Sequence, residues 1–187
     1  MLDEVALWSV DLNVGQGGVI SAAVDALVAG LDSPSLRELA GLSDNSLYWT
    51  VRPLVEATLE ELDLALPESG ADALQIAAAR AMSRRLLRGT LTTREFTIWA
   101  HRVISHEGAE RLQSIVLLDD IYDDVASAGA NVGDLDEVAR REAASLLAGE
   151  PLLVGIEPMA SRERAPRESA GSRLRAVSLR LRARLRR

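Results

Sequence analysis

The chain has 187 residues, of which 48% are hydrophobic but only 3% aromatic, and 28 Asp and Glu outnumber 21 basic residues to give a net charge of −7. That length fits one domain with or without a tail, and a core of Leu, Ala, Val and Ile suits close-packed helices better than an aromatic-rich β-sandwich. All 21 basic residues are arginine and cysteine is absent, which excludes disulfides, thiolate zinc sites, thiol nucleophiles, lysine-dependent phosphate loops and Schiff-base chemistry.

The total charge conceals two regions. Residues 1–161 hold 11 Arg against 26 Asp and Glu, a net −15, whereas residues 162–187 hold 10 Arg against 2 Glu, a net +8. An acidic body of this kind does not coat nucleic acid, which demands a cationic surface. The acidic start Met1-Leu2-Asp3-Glu4 and the absence of an apolar run near 18 residues lead to the expectation of a soluble, cytoplasmic protein. Arginine without lysine, with Ala, Leu, Val and Gly abundant, matches the coding bias of a GC-rich bacterial genome.

In chain order, the start is ambiguous up to a break at Gly15, Gly17 and Gly18, after which residues 19–29 read as a small-residue helix stopped by Gly30. Asp32-Ser33-Pro34 supplies a cap with proline in the first turn, and Ser35-x-x-Glu38 offers a capping box for a short helix ending at Gly41. Residues 45–64 carry Leu47, Val51, Leu54, Val55, Leu59 and Leu62 at helical spacing. Pro53 fits best in a first turn, which would start that helix near Arg52. Pro67 and Gly70 precede a helix at 71–88 closed by Gly89. Thr92-x-x-Glu95 forms a capping box ahead of the apolar stripe Phe96, Trp99, Ala100 and Val103. Gly108 breaks the chain before a helix at 109–127, and Asp134-x-x-Glu137 opens a last one that ends at Gly149 and Pro151. Alternating Val/Ile/Thr runs are missing, so strands are not expected. The predicted fold is all-α, a compact bundle of six or seven helices with a basic C-terminal tail. Its organisation reads as an acidic helical domain over 1–149, a linker over 150–171, and an Arg/Leu-rich tail over 172–187. In that tail Leu174, Val177, Leu181 and Leu185 fall on one helical stripe, which suits contact with the acidic body, anionic lipid or nucleic acid.

The densest chemical feature is Asp119-Asp120-Ile121-Tyr122-Asp123-Asp124. Asp119/Asp123 and Asp120/Asp124 are i,i+4 pairs, so four carboxylates crowd adjoining helical faces and require a cation, an arginine partner or water. Arg80, Arg84 and Arg88, at steps of four, with Arg85, form a basic stripe that is a plausible partner for that face. The two histidines, His101 and His106, lie five residues apart, or about 140° around a continuous helix, so packing or C-terminal capping is expected of them rather than a shared metal. Trp8, Trp49 and Trp99 are expected to be core anchors.

Asp119 to Asp124 resembles the aspartate-rich motif of class I terpene synthases, a family that is also all-α. That resemblance implies magnesium held by Asp119, Asp120 and Asp123 and a diphosphate substrate. The family's second metal motif would fall at Asp134 to Glu142, where Val138 stands in place of a hydroxyl residue. Residues 30–41 (Gly30-Leu31-Asp32-Ser33-Pro34 through Gly41), Thr93-Arg94-Glu95-Phe96, Trp99-Ala100-His101 and His106-Glu107-Gly108 look like segments of small helical actinobacterial proteins of unassigned function. The plan is also similar to that of colicin-type immunity proteins, which are small, acidic, helical and cytoplasmic. The leading expectation is a non-enzymatic binding protein that engages a basic protein partner through Asp119, Asp120, Asp123 and Asp124, with no cofactor. The alternative is a magnesium-dependent, diphosphate-handling enzyme.

Overall fold

The computed structural model describes residues 1–11, 13–66, 71–129 and 131–152. The linker beyond residue 152 and the Arg/Leu-rich tail therefore lie outside the described residues, as do the expected break signals Pro67 and Gly70. Among the described residues eight α-helices follow in order: α1 (Leu2–Val10), α2 (Gly17–Val28), α3 (Pro34–Ala40), α4 (Tyr48–Glu61), α5 (Ala71–Leu87), α6 (Thr93–Val103), α7 (Gln113–Ser127) and α8 (Gly133–Ala148). A 3₁₀ turn at Glu110–Leu112 leads into α7, and no strand occurs among the described residues. The class is all-α as expected, but eight helices replace the expected six or seven. The additional helix is α1, the stretch whose start was ambiguous.

Local signals account for most boundaries. Ser33 caps α3 by accepting from the Leu36 amide, with Pro34 at the first helical position. The Ser35-x-x-Glu38 box does not form; Ser35 donates instead to Glu61 on α4 (Oγ–Oε1 2.7 Å). α4 also departs from expectation, because it begins at Tyr48 and carries Pro53 in its interior. Packing of Val51 and Val55 into the core outweighs the backbone bond that Pro53 removes. At α6 the box is complete: the Glu95 amide donates to Thr92 Oγ1, and Glu95 accepts from the Thr92 amide. The Thr92 hydroxyl and then its amide hold the Glu95 carboxyl below the usual range. α8 begins at Gly133, without a side-chain cap from Asp134.

Two apolar clusters form the core, and α1 joins them. Ala6 and Leu7 pack with residues of α5, α6, α7 and α8, while Val5 and Trp8 pack with α2, α3 and α4. α5 packs against both α1 and α8. Its buried face is Ala78, Ala79, Ala81, Met82, Ser83 and Leu86, and small side chains of this kind let neighbouring backbones approach closely. Two expectations are corrected here. Arg84 and Arg85 do not serve the acidic helix; they pair with Asp3 and Glu4 in the first turn of α1 (Arg85–Glu4, 2.6 Å). Trp8 and Trp99 are buried, but Trp49 is 70% exposed and anchors nothing. The compact unit runs over Met1–Gly155.

Candidate functional site

α6 and α7 pack side by side, and their facing polar side chains build the site. On α6, Arg94, Thr97 and His101 sit at i, i+3 and i+7, within about 60° of arc, beside the buried stripe of Phe96, Trp99 and Ala100. On α7, Asp120, Asp123 and Asp124 share about 100° of arc, and Asp119 lies about 40° beyond Asp123, turned under towards α6.

Asp119 is the hub. Its side chain is only 10% exposed, and three groups from α6 hold it. Arg94 Nη1 donates to Oδ1 at 2.5 Å, Thr97 Oγ1 donates to the same oxygen at 3.3 Å, and His101 Nδ1 lies 2.8 Å from Oδ2. The second arm of the Arg94 guanidinium reaches Asp123, so one cation spans an i,i+4 carboxylate pair. The guanidinium carbon also lies 5.4 Å from the centre of the Tyr122 ring, within cation–π range. Of the four aspartates expected to crowd adjoining faces and meet a partner, Asp119 therefore does not stand at the surface. Asp120 and Asp123 do, with side chains 45% and 67% exposed, and Asp124 is exposed as well.

Beneath α7, Tyr122 is buried and its hydroxyl donates to Asp136 of α8 at 2.6 Å, while Thr93 donates to the same carboxylate oxygen. Burial pushes the Tyr122 phenol well up, and the bond to Asp136 raises it further. Burial alone would push the Asp136 carboxyl up too, but the bonds from Thr93 and Tyr122 outweigh it and hold that group below the usual range. Glu142, 2% exposed, accepts from Ser114 Oγ at 2.7 Å and ties α8 to α7.

The two histidines are brought together, contrary to expectation. The 140° separation holds only on a continuous helix, but α6 ends at Val103 and Ser105 turns the chain with φ +58. The loop that follows is stapled to the body. Gln113 Nε2 donates to the carbonyls of Ser105 and Gly108 (3.0 and 3.1 Å), and Gln75 Oε1 accepts from the Ala109 amide at 2.7 Å. Gly108 is required at this point, because a Cβ there would meet the Ile104 carbonyl, with Ile104 Cγ2 at 2.7 Å and Gln75 Oε1 at 2.8 Å. So fixed, His106 returns over α6, edge-on to His101 with ring centroids 4.9 Å apart, and both face Asp120.

Arg94 is the residue that sequence reasoning missed. Its signal was the i, i+3, i+7 polar stripe of α6, which marks a helix face turned towards another polar face. Comparison of the chain with protein-family models, with curated proteins and with solved structures matches nothing. No helix among the described residues is long and apolar enough to cross a membrane.

Proposed function

We propose that the chain is a non-enzymatic binding protein whose α7 stripe of Asp120, Asp123 and Asp124 engages a basic protein partner, in the manner of an immunity protein covering a basic toxin domain. The observation that carries this reading is a carboxylate row presented outward, with Asp123 braced from beneath. Arg94 fixes Asp119 and Asp123, and Asp124 is exposed with no ion pair among the described residues. A braced carboxylate such as Asp123 loses little side-chain entropy on docking. The −15 charge of residues 1–161 supplies a long-range field that speeds encounter with a cationic partner and narrows partner choice more than it raises affinity. The proposed setting is the cytoplasm, and the basic tail then competes for the same stripe or recruits anionic lipid or nucleic acid.

The magnesium and diphosphate alternative gains nothing from this geometry. Arg94 already bridges Asp119 and Asp123, two of the three ligands it would need. A groove in the body is lined by Trp8, Tyr48, Val55 and Leu59, far along the chain from these carboxylates.

The test is affinity capture from native lysate with the wild-type chain and with an Asp123→Asn/Asp124→Asn variant, at low and high salt. A basic protein retained by the wild type, lost with the variant and released by salt supports the reading. Equal recovery on both chains, or no basic protein at all, rejects it.

A further inference from the structure

We propose that His101, His106 and Asp120 form a mononuclear site for a borderline divalent transition-metal ion, of which zinc is the type. This inference does not rest on the partner-binding reading.

Three ligand atoms, one from each residue, lie within 4.8 Å of one another. Asp120 Oδ1 is 3.6 Å from His101 Nδ1, and Oδ2 is 3.4 Å from His106 Nε2. These separations are too long for strong N–H···O bonds. The His106–Asp120 separation matches the spacing of donors that share an ion, since two ligands about 2.05 Å from a tetrahedral centre stand about 3.3 Å apart. Among the described residues neither the Asp120 carboxylate nor the His106 ring makes a hydrogen bond, so the loop that returns His106 over α6 presents both with their donor atoms uncommitted beyond these long ion-pair contacts.

Charge points the same way. Asp119, Asp120 and Asp123 bring three negative charges and Arg94 returns one positive charge. With neutral imidazoles, two negative charges remain at one spot, which a divalent cation neutralises. The donor set of two imidazoles and one carboxylate suits zinc and its neighbours rather than magnesium, which prefers oxygen alone. The surroundings also supply an outer partner. Asp119 Oδ2, 2.8 Å from His101 Nδ1, occupies that nitrogen as carboxylates do behind metal-ligating histidines, so the ring would ligate through Nε2, and Arg94 and Thr97 fix Asp119 in turn. The ligand side chains are 37%, 49% and 45% exposed, which leaves the remaining coordination positions open to solvent or to a partner's side chain.

The experiment is calorimetric titration of the untagged full chain with zinc chloride, paired with Co²⁺ as a spectroscopic probe. The expected result is saturable 1:1 binding, a zinc-dependent rise in Tm, and the visible absorption of four- or five-coordinate cobalt. His106→Gln and Asp120→Asn should each weaken zinc binding by about tenfold or more and abolish the rise in Tm. Both side chains are substantially exposed, so unchanged helical circular dichroism is expected of each variant and separates ligand loss from unfolding. Asp123→Asn/Asp124→Asn should retain zinc binding while failing the partner test above, so the two readings can fail separately. Absence of 1:1 binding overturns the site. So does binding that survives both ligand substitutions, or binding that the Asp123/Asp124 variant removes equally.

Discussion

Arg94 resolves the crowding on α7 with a single guanidinium placed against Asp119 and Asp123. Asp119 is the more dependent partner, because its side chain is nine-tenths covered and a carboxylate left there without its cation loses both its charge partner and much of its hydration. Arg94→Gln should therefore lower stability by about 1–3 kcal/mol, read as a shift of the urea midpoint. An unchanged midpoint would show that water replaces the arginine at no cost. A second residue-scale expectation concerns acid. The folded-state shift of Asp136 is downward, so its contribution is fully present above its unfolded value of 3.8 and is lost as pH falls through the depressed folded value. Glu95 has the same sign through its bonds to Thr92. Tyr122→Phe removes one donor to Asp136, so it should cost about 1 kcal/mol near neutrality and flatten the acid limb of a stability–pH curve. An acid limb as steep as that of the wild type would show that Thr93 alone sustains the shift.

Among the elements, α6 and the loop that closes it decide the site. The Thr92/Glu95 box fixes where α6 begins, and so fixes which of its residues face α7. The far end is set by Ser105 and Gly108, not by a proline or a simple glycine cap. Gly108→Ala must push the loop off the Ile104 carbonyl and Gln75. It should destabilise the fold by about 1–3 kcal/mol, in the range of overpacking substitutions. It should also separate His106 from His101, visible as changed chemical shifts of both imidazoles in an NMR titration. Imidazole signals that stay put would mean that the loop absorbs the methyl group without moving. Both capping boxes and both histidines were visible in the chain, yet only one box formed. Ser35 faced a stronger acceptor in Glu61 of α4, a contact 26 residues away that no local pattern contains.

For the molecule as a whole, charge is the dominant sequence-level quantity. Residues 1–155 form one compact unit and carry a large excess of carboxylates, so like-charge repulsion opposes folding and salt screens it. The fragment 1–155 should gain thermal stability as sodium chloride is raised from about 10 mM to about 300 mM, a span over which the Debye length shrinks from roughly 30 Å to well under 10 Å. A melting temperature independent of salt would mean that internal pairs such as Arg84–Asp3, Arg85–Glu4 and Arg102–Asp11 already offset the repulsion. By itself the sequence determined the all-α class, most helix positions and the acidic character of α7, because apolar periodicity, caps and charge are properties of neighbouring residues. Tertiary structure alone decided that α1 is a helix supplying Asp3 and Glu4 to α5. It also decided that Asp119 turns inward to Arg94 and that His106 folds back onto His101 and Asp120. Each of these depends on which helices lie side by side and on where a helix stops, and so on contacts between residues distant along the chain.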